Sequence, residues 1–230
     1  MQPHIIPGNP PIEVILRHST RARRISLRVS RLDGRVTLTL PKGVREAEAL
    51  DFARQKQDWL RHQLERQPDQ VQVGIGVELP FEGRPLLVTH GAGRKVDIAQ
   101  GELRVPGSVD RTAARLQGWL KEMARDRLTA ASDRYAARLG KSYSRITMRD
   151  TRSRWGSCSS AGALMYSWRL ILAPATVLEY VAAHEVAHLK EMNHSSAFWG
   201  TVDDIHGPCM EQRKWLRDNS EFLHRYRFGD

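Results

Sequence analysis

Pro174-Ala175-Thr176-Val177-Leu178-Glu179-Tyr180-Val181-Ala182-Ala183-His184-Glu185-Val186-Ala187-His188 is the stretch on which the rest of the chain hinges. Proline at a first turn, where its missing N–H is harmless, and an apolar run to about Lys190 predict a buried helix. On that helix His184 and His188 stand one above the other, close enough to share a cation. Without a partner, a His-Glu-His set in a core leaves polar groups poorly satisfied, and metal binding removes that cost. The polar segment Lys190 to Asn193 ends the helix and turns the chain, bringing His194 toward the pair. Three neutral imidazoles with a fourth position left for water describe a catalytic zinc centre, since structural sites are closed by four protein ligands. Glu185, rotated roughly 100° about the axis from His184, reaches that water without coordinating and is placed to act as general base. Glu179, Asp203 and Asp204 are candidates to orient the imidazole N–H groups. By chance a His-Glu-x-x-His arises in a chain of this composition with a probability of about 0.02, so coincidence is the weaker explanation.

Upstream of this helix, Ile146 to Met148 and Leu164 to Leu172 read as strands on either side of Trp155-Gly156-Ser157-Cys158, with a turn at Ala161-Gly162. Cys158 reads as a small packed residue in a Gly-Ser-Cys-Ser turn. Residues 110–139 carry apolar positions at helical spacing and Gly140 is their stop. Further toward the N-terminus, Ile12 to Leu16, Ile25 to Val29 and Val36 to Leu40 alternate as strands, and Asp33-Gly34 predicts a hairpin turn, so an antiparallel meander is expected there. A helix from about Arg45 to Arg66 follows, then more strands over 68–108. A faint echo links Val36 to Leu60 with Glu102 to Leu120: strand, proline, then a helix ending Trp-Leu.

The chain has 230 residues, 40% of them hydrophobic, enough for a sizeable core. Its two cysteines, Cys158 and Cys209, build no disulfide framework, so a reducing compartment, the cytoplasm, is expected. Neither a secretory leader nor a membrane span is expected. The formal charge of +10 favours anionic partners, a polyanion or nucleic acid among them, although the arginines between 17 and 35 also read as the solvated face of strands. Arg149, Arg152, Arg154, Arg169 and Tyr166 precede the helix and are candidates to bind substrate, as His206 is to steady developing charge.

Arg152-Ser153-Arg154-Trp155-Gly156-Ser157-Cys158-Ser159, Trp168-Arg169-Leu170, Pro174, Tyr180-Val181, His184 to Leu189, His194 and Phe198-Trp199 together resemble the YgjP-like metallopeptidase family. The resemblance is firm from about Ile146 to Trp215 and, through the basic β-hairpins at the N-terminus, extends over residues 12–225. It implies an α+β fold: N-terminal antiparallel β-hairpins with one helix in a basic region, 1–108, then a zincin-like core, 109–230, akin to SprT-like proteases, together one compact domain. It also implies one zinc ion on His184, His188 and His194, with Glu185 catalytic. Two departures stand out. Ser167 replaces the family's asparagine before Trp168, and Glu191 replaces the glycine that metzincins place before their third histidine.

Three functions fit these residues. A peptidase needs a groove beside an exposed strand edge. A nucleotide pyrophosphatase, an activity described for proteins this chain resembles and directed at UTP, needs a closed arginine-lined pocket. A basic nucleic-acid-binding protein would carry the metal site as a secondary feature. The peptidase is preferred, because three imidazoles and an adjacent glutamate are a recurrent amide-hydrolysing arrangement.

Overall fold

A computed structural model of the chain describes residues 3–30, 34–65 and 69–229. The chain divides into two compact units, Met1–Asp69 and Gln70–Asp230, in an α+β fold.

In the first unit, β1 (His4–Ile6), β2 (Ile12–Ser19), β3 (Ser26–Val29) and β4 (Val36–Pro41) form a sheet in the order β1-β2-β4-β3. The expected meander is corrected here: β3 and β4 pair antiparallel, but β2 pairs with β4 in parallel. No tight-turn residue lies between 20 and 25 to fold β2 back on β3. The parallel register sets Val14 beside Val36 and Leu16 beside Leu38, which keeps all four on the buried face. Part of the expected Asp33-Gly34 turn lies outside the described residues. The single helix expected over 45–66 is broken at Lys56 into α1 (Glu46–Gln55) and α2 (Gln57–Glu65), whose Ala49, Ala53 and Leu60 complete the core of this unit.

The second unit opens with β5 (Val71–Gln72), followed by β6 (Glu78–Phe81), β7 (Arg84–Gly91), β8 (Asp97–Ala99) and β9 (Glu102–Pro106). The last four form a sheet in the order β6-β7-β9-β8, with β7 and β9 parallel and the outer pairs antiparallel. That is the strand order and polarity of the first sheet, with Pro106 ending β9 as Pro41 ends β4. The faint sequence echo is thus matched by a repeated topology. The sequence placed residues 70–108 with the N-terminal region. Instead Leu79, Val88, Leu103 and Val105 share one hydrophobic cluster with the long helix α3 (Thr112–Leu139) and the site helix α4 (Ala175–Ala187).

On α3, Leu116, Leu120, Ala124, Leu128, Ala131 and Tyr135 recur every three or four residues and are buried. Beyond it, β10 (Arg145–Arg149), β11 (Gly156–Cys158) and β12 (Ala163–Ser167) form a sheet in the order β10-β12-β11, leaving β11 at an edge. The strand expected to continue to Leu172 stops at Ser167. Trp168 to Leu172 instead wind into a 3₁₀ turn in which all five side chains are buried, which an alternating strand with one exposed face could not achieve.

Two clamps position α4. At its start, the β6–β7 hairpin donates hydrogen bonds from Glu82 and Gly83 to the carbonyls of Ile171 and Leu172, at 2.7 and 3.3 Å. Gly83, at φ 79°, touches Pro174, and a Cβ there would come within 2.9 Å of the proline Cα. At its end follow α5 (Ser196–His206), α6 (Met210–His224) and β13 (Tyr226–Arg227), the last pairing with β5. No helix among the described residues is long and apolar enough to cross a membrane.

Candidate metal centre

α4 ends at Ala187, earlier than the periodicity suggested, and His188 occupies its C-cap with helical dihedrals. The helix register therefore still holds His184 and His188 on one face, with ring centroids 5.1 Å apart. Glu191 N–H bonds back to the Ala187 carbonyl at 3.0 Å and closes the reversal. Asn193 Oδ1 then accepts from Ser195 N–H, and Ser195 Oγ caps α5 by accepting from Phe198 N–H. These bonds aim His194, lodged between Asn193 and the capping Ser195, back at α4, with its ring centroid 5.0 Å from His184 and 4.9 Å from His188.

Beneath the three rings lies Phe198, fully buried on α5 and stacked 4.5 Å from His188. The ligand nitrogens of the three histidines all lie within 4.8 Å of one another. His184 Nε2 and His194 Nε2 face each other at 3.1 Å. Ligands at about 2.0–2.1 Å around a tetrahedral zinc would stand about 3.3 Å apart, so this pair fits such an ion.

The outward nitrogens of His188 and His184 are engaged. His188 Nδ1 is 2.9 Å from the Glu191 carbonyl oxygen, to which it donates, and Tyr180 Oη lies 3.4 Å from His184 Nδ1. The Nε2 atoms are thereby left for a metal. Burial, and then the charges of the other two imidazoles, lower the His184 pKa to about 3, and burial lowers that of His188 as well. Both are held in the neutral form that ligates.

Glu185, 5% exposed, stands beside this cluster. Burial raises its pKa to about 8, against the pull of the Arg154 charge. Its carboxylate rests on the backbone of β11: a Cβ added to Gly156 would fall 2.5 Å from Glu185 Cγ and Oε1. Glycine is required there for close approach. Gly156, Ser157, Cys158, the three histidines, Glu185 and Met192 line a shallow concavity of about 240 Å³. The edge strand and the histidine cluster thus face the same opening.

The YgjP-like metallopeptidase domain matches the chain over residues 23–219 as a family model. The chain belongs to this family. As a YgjP-like metallopeptidase domain it is a metal-dependent hydrolase by family. No curated protein matches the chain. The solved metallopeptidase zymogen of Pyrococcus abyssi, abylysin, is 19% identical over 41% of this chain and 93% of its own, with a TM-score of 0.36, a likeness too distant to carry chemistry.

Within this YgjP-like domain the sequence candidates separate. Arg149 and Arg154 are exposed and line a second concavity that shares Ser157 and Cys158 with the metal site. Arg152 is exposed nearby. Arg169 is corrected: it is buried, bonded through Nε and Nη2 to Asp150 and through Nη1 to the carbonyls of Leu223 and Tyr226. Tyr166 is likewise turned inward, fully buried with its hydroxyl 3.0 Å from Ser132 Oγ. Neither meets a substrate, because both hold strands and helices together.

Glu179 is paired with Arg134 and Tyr135, and neither Asp203 nor Asp204 bonds a ligand imidazole among the described residues. His206 packs behind Tyr180. Cys158 lies at the end of β11, not in a turn, and burial followed by the Glu185 charge raises its thiol pKa. The sequence reading missed Tyr180, Gly156 and Phe198. The i−4 spacing of Tyr180 from His184 was the available signal for the first. The other two act through contacts that no spacing reveals.

Proposed function

We propose that the chain is a zinc-dependent peptidase in which His184, His188 and His194 hold the ion and Glu185 is the general base. The observation that carries this reading is β11, an edge strand opening on the same concavity as the histidines and Glu185. A substrate in extended form can add to that edge through main-chain hydrogen bonds, with its scissile amide beside Glu185. Zinc, when bound, supplies Lewis-acid polarisation and a more acidic water. Glu185 takes the proton of the attacking water on a carboxylate oxygen and returns it to the leaving amine. Tyr180 and the Glu191 carbonyl orient the imidazoles, and Phe198 closes the floor against water. The shallowness of the concavity favours a peptide over a nucleotide, which would be gripped in an enclosed pocket.

The test is metal content and hydrolysis on the purified protein, with a quenched peptide library, a nucleoside triphosphate panel and Glu185→Gln as matched control. Peptide cleavage is expected, falling by roughly 10²- to 10⁴-fold in Glu185→Gln while zinc is retained. Glu185-dependent pyrophosphate release without peptide cleavage would overturn the peptidase reading.

A further inference from the structure

The outer face of the β10-β12-β11 sheet forms a trough of about 590 Å³ that opens beside the histidine cluster. Its cationic wall comes from one strand: Arg145, Thr147 and Arg149 alternate along β10, so their side chains share one face. The register carries this face across the sheet, with Thr147 beside Met165 and Met165 beside Ser157. Arg154, in the loop entering β11, closes the end nearest Glu185. All three arginines are exposed, none forms a salt bridge among the described residues, and no acidic side chain lines the trough. No aromatic ring lines it either, so it lacks the platform on which nucleic-acid bases stack.

We infer that this trough is a subsite for acidic side chains of an extended peptide, an assignment that rests on the peptidase reading of the adjacent site. A strand added at β11 directs every second side chain onto the face that Ser157, Met165 and Thr147 occupy, with β10 three strand spacings away, about 14 Å, a gap that an extended glutamate and an extended arginine together span. Side chains two apart on a strand stand about 6.6 Å from each other, and Arg145 and Arg149 about twice that, so carboxylates two to four residues apart match the wall. Planar guanidiniums donate paired hydrogen bonds to carboxylates, and the hydroxyl of Ser157 offers a further donor, whereas that of Thr147 is spent on the Leu164 carbonyl.

The test measures binding by fluorescence anisotropy in the zinc-loaded Glu185→Gln protein, which holds peptide without turnover. The probes are two labelled peptides of equal length, one with glutamate at alternate positions and one with glutamine there. The glutamate peptide is expected to bind on the order of ten-fold more tightly at low salt, with most of the difference gone at 0.5 M salt. Adding Arg145→Gln and Arg149→Gln should erase the preference while zinc content and melting temperature hold. Equal affinity for both peptides, a preference that survives the arginine changes, or an oligothymidylate that binds the trough arginines more tightly than the glutamate peptide would each overturn the assignment. If the wild type cleaves both peptides equally, the peptidase stands and the acidic subsite falls. If arginine-dependent glutamate binding occurs and no peptide is cleaved, the subsite stands and the peptidase falls.

Discussion

Gly156 does its work by lacking a side chain. Because Glu185 Cγ and Oε1 would lie 2.5 Å from a Cβ there, Gly156→Ala must push the carboxylate off its position. Misplacement on the scale of 1 Å costs about 10²-fold in rate, so kcat/KM should fall by that order while zinc content stays at the wild-type level. Full activity in Gly156→Ala would remove Glu185 from the role of base. Tyr180→Phe makes a milder prediction. Losing the hydroxyl 3.4 Å from His184 Nδ1 should weaken zinc affinity by roughly 10-fold, measured by chelator competition, and leave the fold intact. Both residues stand in the sequence beside recognisable motifs. The i−4 spacing from His184 marks Tyr180, but Gly156 could not be assigned its role from spacing, because its contact is made across nearly thirty residues of chain.

At the scale of elements, α6 is fastened to the site sheet by buried polar groups. Arg169 reaches the carbonyls of Leu223 and Tyr226 at 3.1 and 3.0 Å and pairs with Asp150 on the other side. Arg169→Met leaves those acceptors unpaired and should cost about 3 kcal/mol, read by urea denaturation. His224, at the end of α6, is buried against Trp155 with ring centroids 5.2 Å apart. Burial, then the Arg169 charge, lower its pKa from 6.5 to about 4.

The folded state therefore holds His224 neutral where the unfolded chain would protonate it. Its stabilising effect is fully present above pH 6.5 and is lost as pH falls toward 4, by up to about 3 kcal/mol. In Asp150, burial works to raise the carboxyl, but the Arg169 hydrogen bonds prevail and the pKa is lowered, so its stabilising effect is lost only below 3.8. Urea melts of the metal-free protein across pH 4 to 7 should slope in the wild type and slope less in His224→Gln, the remainder belonging to His184 and His188. An unchanged slope would mean that His224 is not held neutral.

At the scale of the whole molecule, the unit boundary after Asp69 has a direct consequence. Leu79, Val88, Leu103 and Val105 belong to the same cluster as α3 and α4, and each is almost wholly buried. A fragment of residues 70–230 should melt cooperatively and bind one zinc ion. A fragment of 109–230, the core region expected from the sequence, strips those side chains away and should not fold, as circular dichroism melts would report. Removal of several large core side chains, each worth about 2–5 kcal/mol, exceeds the stability of a typical domain.

What the amino-acid sequence determined by itself was periodic or local. The long helix ending at Gly140, the His184, Glu185 and His188 spacing, and the turn that carries His194 all follow from 3.6 residues per turn and from residues that stop a helix. Tertiary structure alone decided the rest. The parallel pairing of β2 with β4, the inward turn of Arg169 and Tyr166, the 3₁₀ turn at Trp168 and the packing of Gly156 on Glu185 join residues far apart in the chain. Pairing and burial depend on which surfaces meet, and a single strand or arginine carries no local mark of its eventual neighbour.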